Sequence, residues 1–312
     1  MARNIDITVS PEKTDRLLAD LQEIDGLVSM RLQKGVSISP PGDVVSATVT
    51  SRSLQEVMRL LDRYELGKPA GVSTMSSEPD SLVDAKKSKE LDRDWVEASW
   101  EEMETIISKD SNANTILLFL VCASGILAAV GIATNAIHVV IGGMLVAPGF
   151  MPLMRMTLGW TCQCQMVWKK GLWDFLLIYL ILIVSAALTS LLLQALGSDP
   201  LPGKADYYQL SQPLLKYWTT VTPTSVIASA AASLAGAVLI ATKRSVFTSG
   251  VMIGLALVPS ASIIGMALVE GDVETMGAAT KRWLVDIALI LGISYLFFAG
   301  IKALRHKRRI AI

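Results

Sequence analysis

From residue 3 to residue 77 apolar positions recur in short alternating runs, and after residue 114 they merge into long ones. Ile5, Ile7 and Val9 alternate as a strand. Ser10-Pro11-Glu12 opens a helix with the apolar stripe Leu17, Leu18 and Leu21, ending near Gly26. Val28, Met30 and Leu32 form a second strand, and the turn Pro40-Pro41-Gly42-Asp43 leads to a third at Val45, Ala47 and Val49. Ser53 and Glu56 form a capping box before Leu54, Val57, Met58, Leu60, Leu61 and Tyr64. Val72 and Thr74 mark a fourth strand. This βαββαβ order predicts a cytoplasmic α+β ferredoxin-like domain over residues 1–78. It shows no glycine-rich phosphate loop, metal cluster or catalytic constellation, which leaves a structural or dimerising module and a ligand sensor as its two readings.

Residues 79–112 form an amphipathic connector helix. Val96, Trp100, Met103 and Ile107 recur at helical spacing, with Glu97, Glu101, Glu102 and Glu104 on the other side. An acidic face argues against binding to anionic lipid and for packing on protein. Six stretches then have the roughly 20 apolar residues that cross a bilayer. They lie near 115–134, 136–158, 173–195, 221–242, 245–269 and 283–303, within a transmembrane domain at 113–304. A basic tail, 305–312, closes the chain.

The hydrophobic region carries the same interrupted helix twice. Ala129-Val130-Gly131-Ile132-Ala133-Thr134 precedes Ile141-Gly142-Gly143-Met144-Leu145-Val146-Ala147-Pro148; Ala237-Val238-Leu239-Ile240-Ala241-Thr242 precedes Ile253-Gly254-Leu255-Ala256-Leu257-Val258-Pro259. Breaks at membrane depth survive where freed backbone groups line a cavity or are buried in protein, and paired breaks point to a transport site. Three spans per copy make the repeats, 115–195 and 221–303, inverted in topology. The expected substrate-binding set is Thr134, Asn135, Gly142, Gly143, Pro148, Gly149, Pro152, Gly254, Pro259, Ser260 and Ser262.

Charge sets the orientation rather than the class. Lys and Arg total 28 against 28 Asp and Glu, a net charge of zero. With a cytoplasmic N-terminus, Arg155, Lys169, Lys170, Lys243, Arg244, Lys302, Arg305, Lys307, Arg308 and Arg309 fall inside; Lys204, Lys216, Lys281 and Arg282 fall outside. Both termini are then cytoplasmic, no signal peptide precedes the polar start, and the inner membrane is the expected location. Of the three cysteines, Cys122 lies within a span, and Cys162-Gln163-Cys164 lacks the further ligands of a closed metal site. Asp174 and Asp286 are read as interfacial residues near span ends, Arg155 as snorkelling, and His138 as a turn residue. No carboxylate is placed at a midplane, so backbone and hydroxyl groups are left to hold a cation or polar solute.

Val140-Ile141-Gly142-Gly143-Met144-Leu145-Val146-Ala147-Pro148 with Pro152, the turn Thr134-Asn135, and Ala256-Leu257-Val258-Pro259 resemble a bacterial and archaeal membrane family, domain of unknown function 389, over roughly residues 115–270. The family pattern has alanine at Gly143, Leu-Met at Gly149-Phe150, a second proline at Ser260, and an acidic residue where Ile227 stands. The resemblance implies a multi-span bundle, often with a soluble N-terminal domain, and brings no activity. The expected function is a transporter or channel for a small solute or ion, with a regulatory or oligomerising cytoplasmic domain. The alternative is a membrane sensor or scaffold whose N-terminal domain binds a ligand or partner. No nucleophile–base pair or metal set points to an enzyme, and no cofactor is implied. The expected partners are the bilayer, a second copy (a dimer favoured) and an unidentified small solute or ion, with no nucleic acid.

Overall fold

The computed structural model describes residues 2–51, 53–68, 71–77, 98–147, 149–197, 212–243, 251 and 255–304. The chain divides into two compact units: residues 1–103 with 241–243 and 302–312, and residues 104–240 with 244–301.

In the first unit, β1 (Arg3–Val9), α1 (Pro11–Gln22), β2 (Leu27–Ile38), β3 (Pro41–Val49), α2 (Leu54–Arg63) and β4 (Ser73–Ser77) follow in the expected order. The strands form an antiparallel sheet in the order β2-β3-β1-β4, with Ile5 opposite Ala47 and Ile7 opposite Val45. Alternation turns Ile5, Ile7, Val9, Val45 and Val49 onto one face, where Leu17 and Leu21 of α1 and Leu54, Val57 and Leu61 of α2 bury them. Asp43 is buried where α1 meets the β2–β3 hairpin. It accepts the Thr14 hydroxyl at 2.8 Å and the Gly35 N–H at 2.8 Å.

The capping box expected at Ser53 does not form. Ser53 already has helical φ and ψ (−86°, −9°), and its hydroxyl donates to the Asp25 carbonyl at 2.5 Å instead. A reciprocal box does form at the head of α3 (Trp100–Ser111). The Ser99 N–H donates to Glu102 at 3.0 Å, and the Glu102 N–H donates to the Ser99 hydroxyl at 3.2 Å. The free Glu102 oxygen takes Lys243 at 3.0 Å and Arg3 at 3.4 Å. Trp100, Met103 and Ile107 are fully buried, as their spacing predicts, whereas Val96 and Glu97 lie outside the described residues.

The second unit is helical. It contains α4 (Thr115–Ala133), α5 (Ile137–Val146), α6 (Met151–Cys162), α7 (Gln165–Leu196), α8 (Gln212–Thr219), α9 (Pro223–Ala241), α10 (Leu257–Glu270) and α11 (Val273–Leu304). Four of these, α4, α7, α9 and α11, are long and apolar enough to cross a membrane; α5 and α6 form a further pair bent by 42°. Six uninterrupted spans are therefore not what the described residues contain. The third and sixth stretches are longer than hydropathy suggested, 32 residues each, because charged residues at 165–174 and 273–286 continue the helices.

Element bounds recur at a constant interval. Helices α4 and α9 are 19 residues each and begin 108 residues apart, at 115 and 223; α7 and α11 begin at 165 and 273, again 108 apart. The short helices α6 and α10, which end at 162 and 270, are buried over most of their length, including Met151–Gly159 and Leu257–Ile263. A helix apolar on every side belongs inside a bundle.

Candidate functional site

Proline and glycine place the two breaks, though not where sequence alone put them. Pro259 lies in the first turn of α10 and Pro152 in the first turn of α6, where a missing N–H has no helical partner to lose. The second interruption therefore falls upstream, at the non-helical Leu255 and Ala256. Pro148 and Gly254 lie outside the described residues. Gly149 is buried after the first break. Its carbonyl accepts the Tyr179 hydroxyl at 3.2 Å, and a Cβ there would lie 2.5 Å from that oxygen.

The two breaks meet. Ala147, Gly149 and Phe150 from one, and Leu255, Leu257 and Val258 from the other, line a single recess together with Met144. It is apolar and about 10 Å³, room for roughly one water. These are the same three positions in each half, 108 residues apart.

The other expected residues serve packing. Gly143 lets α5 close on α4: a Cβ would come within 2.9 Å of the Ser124 carbonyl, and the Ser124 hydroxyl donates to the Gly143 carbonyl at 2.7 Å. Gly142 faces open space. Thr134 and Asn135 are exposed in the α4–α5 turn, where Asn135 takes φ +54° and Thr134 bonds the Val130 carbonyl at 2.7 Å; neither reaches the recess. The Ser260 hydroxyl donates to the Trp218 carbonyl at 2.9 Å, while that of Ser262 is buried with no hydrogen-bond partner.

The helical unit also holds two ion clusters whose members hydropathy reads as interfacial, snorkelling or outer charges. Asp286 is fully buried within α11, not at a span end. One carboxylate oxygen accepts the Ser229 hydroxyl at 2.8 Å and Arg282 Nη2 at 3.2 Å; the other accepts the Ala256 N–H at 3.2 Å, at the head of α10. Arg282, which sequence placed among exposed outer charges, is 4% exposed. It donates to the hydroxyls of Ser225 and Ser229, and its Nε has no partner. Arg155, expected to snorkel, is instead held at 5% exposure by Glu104 at 2.5 Å, Asp174 at 3.2 Å and Asn112 at 2.7 Å. Asp174 also accepts the Ala113 N–H at 3.3 Å. An aromatic trio joins the clusters: the Phe175 and Trp283 rings stack at 5.7 Å, and Tyr179 meets Trp283 edge-on at 5.1 Å.

The one sequence signal for the Arg282 cluster was the four-residue spacing of Arg282 and Asp286 matched by Ser225 and Ser229. Among the described residues no group of three His, Cys, Asp or Glu side chains is placed to hold a metal ion.

Residues 144–292 match the family model described as Domain of unknown function (DUF389), so the resemblance read from the two motifs holds over that stretch. The chain is similar to the Uncharacterized protein MJ0678 of Methanocaldococcus jannaschii, at 26% identity over 191 residues. That alignment takes in 61% of this chain and 55% of the relative, so the chain spans about half the length of the curated protein it matches. No solved structure matches it. The recess, both breaks and the Arg282–Asp286 pair all lie inside the stretch that is similar to the DUF389 family.

Proposed function

We propose that the protein is an inner-membrane carrier or channel that moves a small solute or ion through the recess between its two breaks. One observation carries the reading: equivalent positions of the two halves converge on a single cavity. This is the arrangement of transporters built from inverted repeats, in which discontinuous helices frame the site. Four long apolar helices, one bent pair and the apolar helix α10 supply material for six crossings. Three crossings per repeat turn the second half upside down and leave both termini on the cytoplasmic side. The N-terminal domain then serves as a cytoplasmic regulatory or dimerising module, and no chemistry is assigned to it.

The test is solute flux into liposomes containing the purified protein, with candidate solutes chosen by thermal-shift screening. Ala147→Phe fills the recess and is expected to lower flux at least tenfold in a protein that remains monodisperse. Leu188→Phe, on the exposed face of α7, is expected to leave it unchanged. Equal flux in both variants would remove the recess from the pathway. Ligand binding confined to residues 1–78, with no flux of any solute, would instead support a sensor or scaffold.

A further inference from the structure

The Arg282–Asp286 cluster departs from the two-fold pattern around it. At the 108-residue interval, Asp286 answers to Ile178, Ser229 to Val121, Ser225 to Leu117 and Ala256 to Pro148. Ile178, Val121 and Leu117 are buried. At the Arg282 position the first half carries Asp174, itself buried and paired with Arg155, so both halves keep a charge there, whereas the carboxylate of Asp286 and its two serines answer to apolar side chains. Pro148 has no N–H to offer, whereas the Ala256 N–H donates to a carboxylate. Replacing a buried ion pair by apolar groups is often neutral or stabilising, so packing alone does not call for the pair.

The carboxylate of Asp286 sits in a complete anion site. It is ringed by a guanidinium, a serine hydroxyl and a backbone N–H at the head of the 14-residue helix α10. Arg282 reaches into that ring while 96% buried, and its Nε has a hydrogen-bond donor left over.

We infer that Asp286 is a tethered stand-in for a small monovalent anion, a halide or short carboxylate, which takes its place against Arg282, Ser229 and the Ala256 N–H when Asp286 is neutralised by a proton. The inference rests on the transport reading for its purpose, because it names the cargo of that site. Charge requires the proton. Asp286 and Arg282 cancel, and an added anion would leave a buried net charge costing several kcal/mol. One proton delivered to the carboxylate restores neutrality, giving one anion per proton. Among the described residues, the charged or titratable groups acting on Asp286 are Arg282, on its own helix, and Tyr179, on α7. The remaining contacts, from α9 and the head of α10, are the neutral Ser229 and Ala256. Leu255 and Leu257, which flank Ala256 in the chain, line the recess, so the anion site adjoins it.

The experiment is calorimetric titration of the full-length protein in nanodiscs with chloride and with formate, against gluconate at equal ionic strength. Wild type is expected to bind at about pH 5, with affinity falling about tenfold per pH unit once the linked proton is lost. Asp286→Asn keeps the shape and uncovers Arg282; it is expected to bind equally at about pH 5 and about pH 8 and to gain thermal stability from chloride. Arg282→Met is expected to abolish binding, and Ser229→Ala to weaken it about tenfold with the pH slope intact. If Asp286→Asn fails to fold, the Ser229→Ala and wild-type pH slopes still decide. No binding by wild type at low pH, or a pH slope that survives in Asp286→Asn, overturns the inference. Anion binding without anion flux would remove the transport reading and leave the site; flux of another solute without anion binding would do the reverse.

Discussion

Two arginines and three acids carry much of what composition did not reveal. Arg155 is shared by Glu104 and Asp174, so its loss strands one buried and one half-buried carboxylate. Arg155→Met is expected to destabilise the protein by about 3–5 kcal/mol in denaturant titrations, and adding Glu104→Gln and Asp174→Asn to recover most of that. These residues were legible as letters but not as a cluster. Hydropathy rewards apolar runs and cuts a span where charges begin, and it cut at residue 283, between Arg282 and Asp286. Buried pairs continue a helix past that cut, because each charge meets its partner rather than the lipid. In the first unit, the Gly35 N–H and the Thr14 hydroxyl hold the Asp43 carboxyl below the usual carboxylate range. A depressed folded-state value contributes stability that is present above the unfolded value and lost as pH falls through the folded one. The protection factors of β1 and β3 amides, which correct for the intrinsic pH dependence of exchange, are therefore expected to fall as pH drops below about 4, and Asp43→Asn to flatten that dependence.

Elements were most readable where one face repeats. The strands and α1 and α2 appear where alternation and the Leu17–Leu21 stripe put them, because one sheet face and one helix face must share a core. Helix caps were less readable. Ser-x-x-Glu occurs at both Ser53 and Ser99, and local sequence does not tell that Ser53 is drawn to Asp25 while Ser99 is left to cap. The breaks behaved likewise: proline marked them, yet Pro152 and Pro259 begin helices instead of ending them. Close approach between elements also leaves a test. A Cβ at Gly236 in α9 would lie 2.2 Å from the Phe150 ring beside the recess. Gly236→Val is expected to cost about 1–3 kcal/mol of stability, seen as a lowered midpoint of thermal unfolding, whereas Gly300→Val, in open space, is expected to leave it unchanged.

At the scale of the molecule, the repeat was visible in the motifs, in register for Ala129–Thr134 against Ala237–Thr242, 108 residues apart, but shifted in the string that follows. Matching Ile141-Gly142 to Ile253-Gly254 spaces the copies by 112 residues, whereas the helices recur at 108. Short apolar strings align in several ways, and only helix length and burial select among them. The last helix has a consequence of its own. Its buried residues form one narrow line: Ala279, Arg282, Asp286, Ile290, Ser294 and Phe298. Five steps over the 19 residues from 279 to 298 average 3.8 residues, longer than the helical period of about 3.6. A contact line with that period winds to the right around its own helix. To keep such a line against its neighbours, α11 must coil about them with right-handed sense, opposite to a leucine zipper.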